Sequence, residues 1–236
     1  AKELALELEP SADAYEVKRR LEETTAAKTM MTVRGGPGFS GVKDVRASLA
    51  RADLGGALNT RELMDIARVL QCARLVRGYI ADDSVGKTPI DSLFYALRAN
   101  KFLEEKINTS IVGEDEIADS ASPELTSIRR QMRAAAASAR DALTKIISSP
   151  SYAKALQEPI ITMRSDRYVV PVKADHKGAV PGLVHDISAS GMTLFVEPMG
   201  AVKANNELRE LNAREKIEID RILAELSADC AEHKDD

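Results

Sequence analysis

The chain has 236 residues, a formal net charge of −4, 44% hydrophobic and 30% charged residues, and only 4% aromatic residues with no Trp. That is room for one large or two small domains with a buried core. The slight acidity excludes a global basic field that would draw the chain to nucleic acid, and the aromatic poverty disfavours extensive stacking on bases or sugars. Cys72 and Cys230 stand 158 positions apart, and no Cys/His spacing matches a zinc site. The expected state is two reduced thiols in a cytoplasmic protein. No signal peptide is expected from the opening residues, and there is no apolar run near 18 residues. The opening AKELALELEP and the ending RILAELSADCAEHKDD both read as helix interior, the pattern of a fragment of a longer protein.

In chain order, Ala1 to Leu8 is a short helical piece closed by Pro10. Ser11 is the expected N-cap of a helix to about Met31, with Asp13 and Glu16 suited to its dipole. GGPGFSG, Gly35 to Gly41, is a loop. A short helix is expected from Val42 to Arg51. Asn59 or Thr60 caps a long helix to about Ile80, on which Leu63, Ile66, Ala67, Leu70, Ala73 and Leu75 recur at helical spacing. Shorter helices follow at Ile90–Leu97 and Phe102–Thr109. Ser122-Pro123-Glu124 is a helix start, with a cap, a Pro at the first helical position and then an acid. This helix runs to about Ser148, and Ser149-Pro150 restarts a short one ending near Leu156.

The period then changes. IITMR, RYVVPVK, GLVHDIS and TLFVE are four short β-rich runs separated by turn residues. Pro171 inside the second run marks it as an edge strand or a bulge. A last helix is expected from about Ala201 to Cys230. The fold class is therefore mainly α: a helical core and lever over 1–156, a small four-stranded β insertion over 157–198, and a second long helix over 199–236.

Charge is unevenly placed. Arg129, Arg130, Arg133, Arg140 and Lys145 face one acid, Asp141, between positions 129 and 145. Arg164, Arg167, Lys173 and Lys177 face Asp166 and Asp175 between 164 and 177, and from Glu207 to Asp236 ten acids face five bases. The last helix and the helix opening at Ser122 can therefore exchange ion pairs.

Catalytic signals are weak. Ala81 to Thr88 ends in Gly-Lys-Thr like a phosphate loop, but it opens with Ala, carries two aspartates, and is followed at once by Pro89. His185 and Asp186 are neighbours on a strand, where side chains alternate between faces, so a dyad is not expected. The basic residues are the better lead. Arg164 and Arg167 flank the first β-turn, and Lys173, His176 and Lys177 crowd the loop after the second strand. Such positions deliver cations to phosphates without reading bases. Arg129, Arg130 and Arg133 form a second tier. The competing reading is a dimerisation and protein-interaction arm whose surface is Val180, Leu183, Met192 and Leu194.

RYVVPVK, GLVHDISASGMTLFVEP and NNELRELNAREKIEIDRIL together resemble the second bacterial branch of the MutS family, MutS-like ATPases with a small MutS-related nuclease domain at the C-terminus. GGPGFSGVKDVRASLARADLGGALNTRELMDIARVL and SASPELTSIRRQM extend the resemblance over most of the chain. It implies a core, lever and clamp fragment in which paired long helices carry a β clamp. It further implies DNA, branched or duplex, or ribosomal RNA and the ribosome as partners, and a homodimeric parent that acts in control of recombination, in DNA repair or in rescue of collided ribosomes. No cofactor is implied for the fragment. ATP and magnesium, like the nuclease chemistry, belong to the resembled parent, so no catalytic residue and no metal ligand is expected here.

Overall fold

Side-chain caps open four of the described helices. In the computed structural model, which describes residues 5–7, 9–80 and 87–235, α1 spans Ala14–Arg34, α2 Arg46–Asp53, α3 Thr60–Gly78, α4 Asp91–Tyr95 and α5 Lys101–Ser110. α6 spans Pro123–Ile147 and α7 Met199–Glu232. Asn59 caps α3 in a capping box with Glu62, each side chain satisfying the other's free amide. Ser122 caps α6, accepting from Leu125 N at 2.9 Å, with Pro123 following as expected. At α1 the cap is Asp13, which accepts from Tyr15 N at 2.8 Å, and not Ser11. The Ser11 hydroxyl instead donates to Glu16 at 2.7 Å. The Ala81–Gly86 part of the phosphate-loop-like stretch and most of the opening helical piece lie outside the described residues.

The chain divides into two compact units, Ala1–Glu116 with Leu223–Asp236, and Ile117–Ile222. The first is helical. Leu63, Ile66, Ala67 and Val76 of α3 and Leu103 and Ile107 of α5 are buried at the expected helical spacing. Arg74 makes a two-pronged pair with Glu104, both contacts at 2.8 Å, and Lys106 sits between Glu225 and Asp229. Leu58 N donates to Ser227 Oγ at 2.8 Å. Cys230 is buried here, and burial pushes its thiol up to about 12, whereas Cys72 is half-buried. The nucleophile is the thiolate. A disulfide reagent at pH 8 should therefore titrate one thiol of the native chain, Cys72, and reach the second only in denaturant. Two equivalents reacting at similar rates in the native protein would contradict this placement.

The second unit holds the sheet. β3 (Thr162–Arg164), β4 (Arg167–Lys173), β5 (Gly182–Ile187) and β6 (Thr193–Pro198) form an antiparallel sheet in the order β3-β4-β6-β5. A two-stranded ribbon, β1 (Ile111–Gly113) and β2 (Glu116–Ile117), lies earlier in the chain and has no counterpart in the sequence expectations. Ser165 and Asp166 between β3 and β4 both have positive φ, 49° and 59°, as a tight two-residue hairpin turn requires. One face of the sheet is apolar. Tyr168, Val170, Val172, Leu194 and Val196 pack with Ile128, Ala135, Ala139 and Leu143 of α6 and Ala201, Ala204, Leu208 and Leu211 of α7 in one buried cluster.

Two local expectations are corrected. Residues 149–155 form successive turns, not a helix, and Leu156 then bridges Val172. β4 is an interior strand despite Pro171. Gln157 N donates to Pro171 O at 3.0 Å, so the imide nitrogen also points to the Gln157 side, away from the β6 ladder. No ladder hydrogen bond to β6 is lost. The bulge falls instead in β5, between Val184 and Asp186.

Candidate nucleic-acid interface

The basic residues separate by what they touch. Arg129, on α6, donates to Glu215 at 2.7 Å, to Asp119 at 2.7 Å and to the Ile117 carbonyl at 2.7 Å. Arg133 reaches Asp119 at 3.1 Å, and those two guanidiniums hold the Asp119 carboxyl below its ordinary value. Arg130 is exposed, with no acidic partner among the described residues. The acidic stretch of α7 thus draws on the basic stretch of α6. Arg214 pairs with Glu124 at 2.7 Å. Glu218 accepts from the Ser122 hydroxyl at 2.6 Å, its carboxyl held down to about 2 first by Arg221 and then by Ser122.

Arg167 is bound into the fold. Its side chain is 13% exposed and pairs at 2.7 Å with Glu197, which is 0% exposed, and it donates to Asn206 Oδ1 at 2.7 Å. Glu197 also accepts from Asn205 Nδ2 at 2.7 Å and is hydrogen-bonded to His185 Nε2. Burial alone would raise this carboxyl. The hydrogen bonds from Asn205, His185 and Arg167 outweigh it and leave the group below its ordinary value. Asn205 further exchanges two 3.0 Å bonds with the Tyr168 backbone. The β4–β6 ladder begins only at Val170 and Val196, so the amide stands where a strand residue would. Asn205 lies on the buried face of α7, where a polar side chain is kept only with partners, whereas Asn206 is exposed.

The β5 bulge corrects the alternation expected of His185 and Asp186, while each takes a different partner and they form no dyad. A bulge sets two residues of one strand against one of its neighbour. Both side chains then serve the sheet face turned away from the helices, His185 toward Glu197 and Asp186 toward Arg164 at 3.5 Å.

Lys173, His176 and Lys177 are differently placed. Lys173 ends β4 and donates to the Lys154 carbonyl at 3.1 Å. His176 and Lys177 follow in the connection to β5, which bends back through Gly178 at φ 95°. Ala174 N donates to Met192 O at 3.0 Å, which ties this connection to the Ser188–Met192 turn. Among the described residues none of Lys154, Lys173, His176 or Lys177 has a carboxylate partner, although Asp175 lies in the same loop. Lys154 was missed from sequence because it was assigned to a helix. The Arg164–Arg167 turn lies at the opposite end of β4, a seven-residue strand, and so roughly 20 Å away. The five candidates do not form one fingertip. The lysines occupy one end of the sheet and the arginines the other.

Of the alternative apolar surface, Val180 and Leu194 are buried and Leu183 and Met192 are exposed. Val180 and Leu194 line a cavity of about 230 Å³ with Val184 and Val196, bordered by Lys177. Among the described residues no group of three or more His, Cys, Asp or Glu is placed to hold a metal ion, and no helix is long and apolar enough to cross a membrane.

No protein-family model matches the chain. Proteins named Endonuclease MutS2 match it over nearly its whole length. Identity is 50% over 98% of the chain in Ruminiclostridium cellulolyticum, 47% over 97% in Acetivibrio thermocellus and 45% over 98% in Pelotomaculum thermopropionicum. The chain spans 29%, 29% and 30% of those proteins.

Proposed function

We propose, from the premise that this chain belongs to the MutS family as a segment of its MutS2 proteins, that the sheet-bearing unit grips nucleic acid by its sugar-phosphate backbone and makes no bonds itself. In this reading 157–198 acts as the clamp and α6 and α7 as the levers that carry it. The whole protein, a homodimer using ATP and magnesium elsewhere in its length, applies the clamp to DNA in recombination control and repair, or to ribosomal RNA in collided ribosomes. The observation that carries it is the set Lys154, Lys173, His176 and Lys177, gathered at and beyond one end of the sheet without carboxylate partners, while Arg129, Arg133 and Arg167 are held by acids. Ammonium groups left uncompensated are available to phosphate oxygens.

The test is fluorescence anisotropy of the 236-residue chain with a labelled branched DNA and with a ribosomal RNA hairpin, over a range of salt. Log affinity should fall linearly with log salt, with a slope of about −0.9 per phosphate neutralised on duplex DNA. Lys173→Glu with Lys177→Glu should weaken binding at least ten-fold and flatten that slope by roughly two phosphates. Arg129→Glu should change folding more than the slope. An affinity indifferent to salt, or to the lysine reversals, would remove the reading. Two exposed apolar side chains, Leu183 and Met192, favour a protein-contact arm as the second reading, and that arm predicts dimerisation unaffected by the lysine reversals.

A further inference from the structure

On the sheet face turned away from the helices, Pro171 of β4 is paired with Phe195 of β6, and Lys173 with Thr193. Arg164 starts on β3, and the strand order is β3-β4-β6-β5. Its guanidinium nevertheless stays beside its own strand, with Nη1 within 3.5 Å of Thr162 Oγ1. The guanidinium lies over the Phe195 ring, 4.1 Å from the centroid. It is held by its edges, with Nε 3.5 Å from Asp186 Oδ2 and Nη1 donating to the Met163 carbonyl at 2.8 Å. Even so, the side chain keeps 40% of its surface in solvent. A cation spent wholly on an ion pair would not need an aromatic floor, and a solvated one would not be pinned on two edges. What results is a planar, delocalised cation with an aromatic ring against it and two-fifths of its side-chain surface in water. Guanidinium planes of this kind stack on the π-faces of unpaired nucleobases. Lys173 stands one rung along the same face, roughly 7 Å from the Pro171–Phe195 pair, where the phosphate of a stacked nucleotide would fall.

We propose that the Arg164–Phe195 stack is a platform for an unpaired nucleobase, so that the sheet takes single-stranded or locally opened DNA or RNA in preference to a fully stacked duplex. The inference rests on the backbone-contact reading and adds the class of substrate to it. Stacking is tolerant of sequence, because every base has a π-face.

The test compares strands of one length, in deoxy and ribo form, one bearing bases with a 2-aminopurine at its centre and one abasic throughout, against the 236-residue chain. The wild type should bind the base-bearing strand roughly five-fold or more tightly than the abasic one, with a change in 2-aminopurine fluorescence. Arg164→Lys keeps the charge and removes the plane. It should abolish that preference and leave abasic affinity and the salt slope unchanged. Phe195→Leu, which removes the floor, should weaken the preference in the same direction, with circular dichroism confirming that both variants fold. Equal wild-type affinity for the two strands, or an Arg164→Lys loss shared equally by both, would overturn the platform and leave the phosphate contacts standing. Binding of neither strand by the wild type would overturn both. A preference confined to the ribo or the deoxy series would support the platform and name the polymer.

Discussion

Glu197→Ala should destabilise the sheet-bearing unit by about 3–5 kcal/mol, the cost of removing one partner from a buried charged pair. The substitution leaves the Arg167 guanidinium, 13% exposed, with Asn206 as its remaining side-chain partner. It also strips an acceptor from Asn205 and from His185, at the point where β6 leaves the sheet and becomes α7. Urea denaturation followed by circular dichroism would read the loss. A change under about 1 kcal/mol would mean that the network contributes no more than an exposed surface pair. Glu197→Gln keeps the shape and separates charge from packing. The Glu197 carboxyl lies below its ordinary value in the folded chain. Its contribution is therefore complete above the unfolded value of about 4.3 and is lost as pH falls through the folded one. The wild type should lose stability on acidification across that window more steeply than Glu197→Gln.

Leu143→Ala should cost about 2–5 kcal/mol, since the leucine is fully buried between α6, the sheet and the start of α7, and truncation leaves a cavity its neighbours fill only partly. The same denaturation experiment measures it, with Arg133→Ala as the control. The Arg133 pair with Asp119 is exposed, and its loss should fall within about 1 kcal/mol. If both variants lost similar amounts, Leu143 would not be the packing residue its burial implies.

These two positions mark how far the chain could be read without coordinates. The long helix that carries Leu143 was legible, because its start was written in Ser122-Pro123-Glu124 and capping is local, so a window of the sequence contains its cause. The four strands were legible for the same reason, each bounded by its own turn residues, and so was the family, since the resemblance rests on contiguous runs. Glu197 was not legible. Nothing near it in sequence says that an asparagine eight positions on, a histidine twelve before and an arginine thirty before will converge on its carboxylate.

The candidate site divides in the same way. The sequence by itself determined which residues carry positive charge, and that Lys173, His176 and Lys177 share one connection. Only the tertiary structure decided which charges remain free. Arg129 and Arg167 looked equivalent to Lys173 as letters, but a cation's availability depends on the carboxylates that folding brings to it, and those lie 86 and 30 positions away. The length of β4 put the arginines of the first turn and the lysines at opposite ends of that strand, and folding set the Arg164 guanidinium over the Phe195 ring. Charge is a property of a residue and is read from the sequence, whereas its compensation is a property of distance and requires the fold.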